Sequence, residues 1–126
     1  MYRTVISTES APPAIGPYSQ AIAAGDLIFV SGQLAIDPAS GELVTGDIAA
    51  MTRQIFTNIE TILAAAGSNL SKVLKVTVFL ADLNDFHEMN QAYATFFPSN
   101  PPARSTVQVA RLPRDARIEI EVIALA

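Results

Sequence analysis

The chain has 126 residues, half of them hydrophobic, a net charge of −4, one histidine and no cysteine. This length predicts a single domain over residues 1–126, with roughly two-thirds of the unfolded surface buried, and the hydrophobic fraction excludes disorder. The missing cysteine excludes disulfides, thiolate nucleophiles and zinc–thiolate sites, and the acidic balance opposes binding to phosphate backbones.

In chain order, Tyr2 to Ile6 alternates weakly and is expected to form an edge strand. Its N-terminal stretch has no apolar signal core. Ala11 to Pro17 is proline-rich and reads as a loop. Tyr18 to Ala24 and Leu27 to Gly32 read as strands around a Gly25-Asp26 turn. Asp37 to Gly46 is a surface loop. Asp47 is the expected cap of a helix to about Ala66, stopped by Gly67, with Ile48, Met51, Ile55, Ile59, Ile62 and Leu63 at helical spacing. The alternation that follows puts Leu74, Val76, Val78 and Leu80 on one strand face, with Val73, Lys75, Thr77 and Phe79 on the other.

Asn84 or Asp85 is expected to cap a second helix, with Glu88 completing a box and Phe86, Met89, Tyr93, Phe96 and Phe97 as its buried stripe. Pro98 ends it. The last segment, Pro102 to Glu121 and beyond, alternates on both sides of Leu-Pro-Arg-Asp and reads as a hairpin with Arg111 opposite Ala116. That register puts Arg104, Thr106, Gln108, Glu119 and Glu121 on one face. A one-residue slip would undo the arrangement.

The predicted fold class is α+β: a mixed or mostly antiparallel sheet with two helices on one face. Phe79, Ile123 and Leu125 then load the other face with apolar surface, which invites a partner subunit. No apolar run approaches the roughly 20 residues of a membrane span, so a cytoplasmic or organelle-matrix protein is expected.

Several side chains are candidates for chemistry. Arg104, stiffened by the preceding Pro-Pro-Ala, suits bidentate capture of a carboxylate; the alternative is a structural ion pair with Glu119 or Glu121. Either glutamate can hold or deprotonate a water, or simply lie on a solvated strand face. If both are buried close together, at least one carboxyl should have a raised pKa. Tyr18 and Ser31 offer hydroxyls at strand ends, and Asn90 an amide on the helix flank. His87 reads as a surface residue, and a lone histidine makes a transition-metal site improbable.

Six segments together resemble the Rid family of reactive-intermediate imine deaminases. They are Ala-Ile-Gly-Pro-Tyr-Ser-Gln (14–20), Val-Ser-Gly-Gln (30–33), Asn-Asp-Phe-x-x-x-Asn-x-x-Tyr-x-x-Phe-Phe (84–97), Pro-Ala-Arg-Ser-Thr-Val-Gln-Val (102–109), Ala-Arg-Leu-Pro (110–113) and Ile-Glu-Ile-Glu (118–121). The resemblance implies a chorismate-mutase-like fold, a barrel-cored homotrimer with sites between subunits, and no cofactor or metal. It implies hydrolysis of 2-imino acids such as 2-iminopropanoate and 2-iminobutanoate to 2-keto acids and ammonia. By resemblance Arg104 binds the substrate carboxylate and Glu119 serves the hydrolytic water, while Tyr18, Ser31, Asn90 and Thr106 line the pocket. Thr106 stands where many members have cysteine, so thiol-based regulation is not expected. Two other functions compete: a 2-keto-acid-binding regulatory trimer, which needs Arg104 but not Glu119, and a ribonuclease. The acidic charge and the lack of interleaved basic and aromatic residues argue against the ribonuclease and against nucleic-acid partners.

Overall fold

A computed structural model describes residues 2–126. The strands are β1 (Arg3–Ile6), β2 (Ala21–Ala24), β3 (Leu27–Leu34), β4 (Val73–Leu80), β5 (Ala103–Gln108) and β6 (Ile118–Leu125). The helices are α1 (Ile48–Ala65), between β3 and β4, and α2 (Phe86–Ala94), between β4 and β5. One mixed sheet has the order β1-β2-β3-β6-β4-β5. All pairings are antiparallel except β4 with β5. The α+β expectation holds, and the segment at Tyr2–Ile6 does supply an edge strand.

α1 forms where its spacing places it. The Asp47 carboxylate accepts from Ala50 N at 2.8 Å, and Gly67 takes φ +78 just past the end. Ile48, Ile55, Phe56, Ile59, Ile62 and Leu63 are fully buried against Ile28, Val76, Val78, Leu80, Ile118 and Ile120 of the sheet. Burying side chains of this kind stabilises by about 1.5–3 kcal/mol each. Asn58 is buried among them, and its amide donates to Ile36 O at 2.9 Å, tying the helix to the chain beyond β3.

Three expectations need correction. First, Val73 is buried and Leu74 is 43% exposed. The β4–β6 register shifts between Val73 and Lys75, so an irregularity at Leu74 resets the alternation. Second, no capping box forms at α2. Asp85 makes no side-chain cap bond, and Asp82 instead caps a 3-10 turn at Leu83–Asp85, accepting from Asn84 N. Phe86, expected in the buried stripe, stays 37% exposed.

Third, β5 and β6 are not a hairpin. β4 lies between them, parallel to β5 and antiparallel to β6. The segment between them crosses the end of β4, where Val109 N donates to Leu80 O at 2.9 Å and Ala81 N donates to Arg117 O at 3.0 Å. An intervening strand changes which residues share a face. Arg104 pairs with Val76, which pairs with Val122; Thr106 pairs with Val78, which pairs with Ile120. Arg104, Thr106 and Gln108 therefore point to the helix side. Glu119 and Glu121 pair with Phe79 and Thr77, on the open side. The single five-residue face expected from the hairpin does not exist.

The open side carries Val5, Phe29, Val107 and Leu125, each at least 41% exposed, together with half-buried Leu27, Phe79 and Ile123. The expectation of an apolar face free of helices holds.

Candidate active site

The candidate residues fall into two groups on opposite sides of the sheet. The first is built on Arg104. β5 projects it under α2, where Nη1 donates to Asn90 Oδ1 at 2.7 Å. The guanidinium carbon lies 4.5 Å from the centre of the Tyr93 ring and 5.6 Å from that of Phe86. These three residues recur at helical spacing on one flank of α2, so a single helix face surrounds the cation. A cavity of about 390 Å³ opens beside it, lined by Asn90, Tyr93, Ala94, Phe97, Pro102 and Arg104 among others. Arg104 forms no salt bridge among the described residues, so the ion-pair alternative with Glu119 or Glu121 is not what is found. Its charge faces only neutral groups, and several of its N–H donors remain for an anion.

Two side-chain hydroxyls in this group are buried without a hydrogen-bond partner: Tyr93 Oη and Thr106 Oγ1. Burial raises the Tyr93 pKa, and the nearby Arg104 charge only partly offsets this. Thr106 follows Arg104 by two positions on the same strand face. Unpartnered buried hydroxyls each cost on the order of 1–3 kcal/mol, and native folds hold few of them. Gln108, further along, is used structurally: its Oε1 accepts from Leu83 N at 2.8 Å.

The second group is built on Glu119. A hollow of about 430 Å³ is lined by Pro13, Ile15, Tyr18, Gly32, Pro113, Arg114 and Glu119 among others. Tyr18 is 53% exposed on the loop before β2. Ser31 fixes that loop, since its hydroxyl donates to Ser19 O at 2.6 Å and its N–H to Gln20 O at 2.9 Å. The Ser31 proton is thus committed within the chain, and only its oxygen lone pairs remain for a ligand. The β3–β6 register shifts between Val30 and Gln33, so Ser31 and Gly32 sit in a bulge. Gly32 has a specific reason to lack a side chain: a Cβ there would stand 2.8 Å from Cδ of Glu119 and closer still to its Oε2.

Burial raises the Glu119 pKa, and the charge of Glu121 adds to the effect. The expected pair of buried carboxylates is met only in part, since Glu119 is half-buried and Glu121 is exposed. A half-buried carboxyl whose pKa is lifted toward neutrality is a better proton acceptor when ionised. The rim of the hollow is strained: Arg114 and Asp115 both adopt positive φ, 59° and 53°. Arg114 is held by Gly41 O at 3.3 Å and lies 3.9 Å from Glu42.

The sequence reading did not single out Gly32, Phe86 or Tyr93 as site residues. Glycine inside a strand pattern was the available signal for Gly32. Phe86 and Tyr93 read as core positions because their spacing matches the apolar stripe. His87 is exposed, as expected. Arg111, Arg114 and Arg117 each have a carboxylate neighbour: Asp115 at 2.7 Å, Glu42 at 3.9 Å and Asp85 at 3.1 Å. These three charges are therefore largely neutralised.

With this geometry in hand, comparison with known proteins identifies the family. A profile of the family described as Endoribonuclease L-PSP matches residues 8–126. A RutC family protein of Pyrococcus horikoshii is 57% identical over 122 residues, covering 97% of each chain. The 2-iminobutanoate/2-iminopropanoate deaminase of Homo sapiens is 50% identical over 125 residues, covering 99% of this chain and 91% of its own. Among solved structures, E. coli TdcF with bound serine matches with a TM-score of 0.92 at 43% identity, covering 98% of each chain. Similarity that spans nearly the whole chain in both sequence and fold has one meaning: this protein belongs to the Rid family, whose profile carries the Endoribonuclease L-PSP description.

Proposed function

We propose that the protein is a cytoplasmic homotrimer that hydrolyses 2-imino acids, such as 2-iminopropanoate and 2-iminobutanoate, to 2-keto acids and ammonia. The observation that carries this reading is a separation. Arg104 with Asn90 forms an anion-binding half-site on the helix side of the sheet, and Glu119 with Tyr18 forms an acid–base half-site on the open side. Neither half suffices alone, so a neighbouring copy must bring the second half to the first. The exposed apolar face supports such assembly, because burying it is worth about 25 cal/mol per Å². The human relative named 2-iminobutanoate/2-iminopropanoate deaminase supports the substrate class.

The chemistry follows from these groups. Arg104 takes the substrate carboxylate with its free N–H donors and presents the C=N carbon across the subunit boundary. A protonated imine carbon is already electrophilic. Glu119 of the adjoining copy accepts a proton from water as its oxygen bonds to that carbon, giving a tetrahedral carbinolamine. The same proton is returned to nitrogen, the C–N bond breaks with its electron pair leaving on ammonia, and the hydroxyl proton is lost as the ketone forms. Tyr18, Ser31 and Thr106 contribute polar contacts to the enclosed substrate.

The test couples purified protein to a threonine dehydratase and follows 2-oxobutanoate release. Acceleration of its appearance over the uncatalysed hydrolysis of the imine is expected. Tight 2-oxobutanoate binding without acceleration would instead favour a regulatory binding trimer, a reading supported by the serine bound in E. coli TdcF.

A further inference from the structure

We propose that Tyr93 is a positioning residue: its ring face sets the plane of the Arg104 guanidinium, so that an incoming carboxylate meets a fork already held in place. This rests on the reading of Arg104 as the carboxylate ligand.

An arginine at a strand start has a long, rotamer-rich stem, and holding it still costs side-chain entropy. One hydrogen bond to Asn90 Oδ1 fixes a single nitrogen and leaves rotation of the fork about that contact. A flat ring 4.5 Å from the guanidinium carbon removes that freedom, because the planar cation stacks on the negative ring face. Phe86 is more distant at 5.6 Å and more exposed, so it is the weaker wall. Tyr93 can serve as a reference surface because it is itself immobile. It is 5% exposed, and its ring packs edge-on to Phe56 at 5.6 Å and against Phe97 at 4.9 Å. Phe56 is fully buried on α1. The orientation of the anion ligand is thereby referred to the hydrophobic core and not to a loop.

The unpartnered hydroxyl sharpens the assignment. Tyr93 Oη makes no hydrogen bond of good geometry, although the guanidinium lies close enough to offset part of the pKa rise that burial causes, so the ring face is the stronger contact that Arg104 has there. The ring and the hydroxyl can therefore be separated by substitution.

Tyr93→Phe, the conservative variant, should keep KM near that of the parent, because the stacking face survives. Tyr93→Leu should raise KM for the imino acid, and Kd for 2-oxobutanoate, on the order of ten-fold, with much less change in kcat. Leucine fills less of the space beside Phe56, so a second series keeps the ring shape. Phenylalanines of increasing fluorination at position 93 drain the ring face of negative charge, and affinity should fall step by step. Nitrogen-15 NMR of the arginine side chains gives a readout independent of turnover. The Arg104 Nε–H proton should be shifted upfield by the ring in the parent and in Tyr93→Phe, and move back in Tyr93→Leu. Unchanged affinity across the fluorinated series, or an Arg104 signal with no ring shift, overturns the proposal. So does a Tyr93→Phe variant as impaired as Tyr93→Leu, because the hydroxyl would then be the working group. A parent protein that shows the ring shift and binds 2-oxobutanoate but does not hydrolyse imines would leave this inference standing and remove the proposed enzymatic function.

Discussion

The two half-sites are built from opposite materials. The Arg104 half is anchored in the core: a strand residue, a helix amide and a ring wedged between Phe56 and Phe97. The Glu119 half is a shallow hollow with an exposed tyrosine, a bulge and a rim at positive φ. Binding an anion in a reproducible orientation calls for rigid walls and unpaired N–H donors. Proton transfer calls for a carboxyl held partly away from water beside a like charge. One sheet supplies both because its two faces have different neighbours.

The sharpest break of the comparison removes the acid–base half. Glu119→Gln should lower kcat by roughly 10²–10⁴-fold while 2-oxobutanoate binding survives, as checked by coupled assay and calorimetry. Arg104→Lys should weaken the anion half instead. A loss of about 2–5 kcal/mol in kcat/KM is expected, since an ammonium cannot present the planar fork. The same variant with near-normal turnover would remove Arg104 from its role. Mixing these two inactive variants, with exchange of subunits, should recover about a quarter of the parent activity if each site draws one half from each neighbour. A mixture that stays inactive despite verified exchange would place both halves in one chain.

Gly32→Ala comes next. The added carbon must displace the Glu119 carboxylate, a crowding that costs about 1–3 kcal/mol and should reduce kcat with little change in 2-oxobutanoate affinity. The pH dependence tests the electrostatics. Because burial and Glu121 raise the Glu119 pKa, the acid limb of kcat/KM should lie above the ordinary carboxylate range. Glu121→Gln should move that limb to lower pH, and an unmoved limb would assign it to another group. The raised pKa also sets a sign for stability. The protonated carboxyl is the form favoured by folding, so its contribution is present below the unfolded pKa and is lost as pH rises through the folded pKa. Thermal unfolding of the parent should therefore fall behind that of Glu119→Gln as pH rises through this window. The smallest effect is expected at Thr106→Cys: near-normal deaminase activity, with new sensitivity to thiol oxidants in a chain that otherwise has no cysteine.

The site was only partly legible before the structure. Arg104, Glu119, Tyr18, Ser31 and Asn90 were named from residue type and from resemblance, and the structure gathers Arg104 with Asn90, and Tyr18 with Glu119, each pair within one group. Their grouping was misread because local alternation says which residues share a strand face but not which strand lies beside which. Two alternating runs with a turn signal between them fit a hairpin. Nothing in residues 103–125 announces that β4, some 25 residues earlier, will sit between β5 and β6. The β4 face was half misread for a related reason, since the irregularity at Leu74 breaks the alternation without glycine or proline to mark it.

By itself the sequence determined the elements that depend on neighbours in the chain. α1 between Asp47 and Gly67, the edge strand at the N-terminus, the turn at Gly25 and the apolar load on one sheet face all follow from spacing, caps and backbone freedom over a few residues. Tertiary structure alone decided strand order, and with it the face on which each functional side chain emerges. Pairing between distant segments is selected by the burial of whole faces, and the register that each strand takes against β4 sets which of its residues face the helices. That arrangement puts Arg104 beneath a helix and Glu119 on the open side, so residues that read as one local face lie on opposite sides of the sheet.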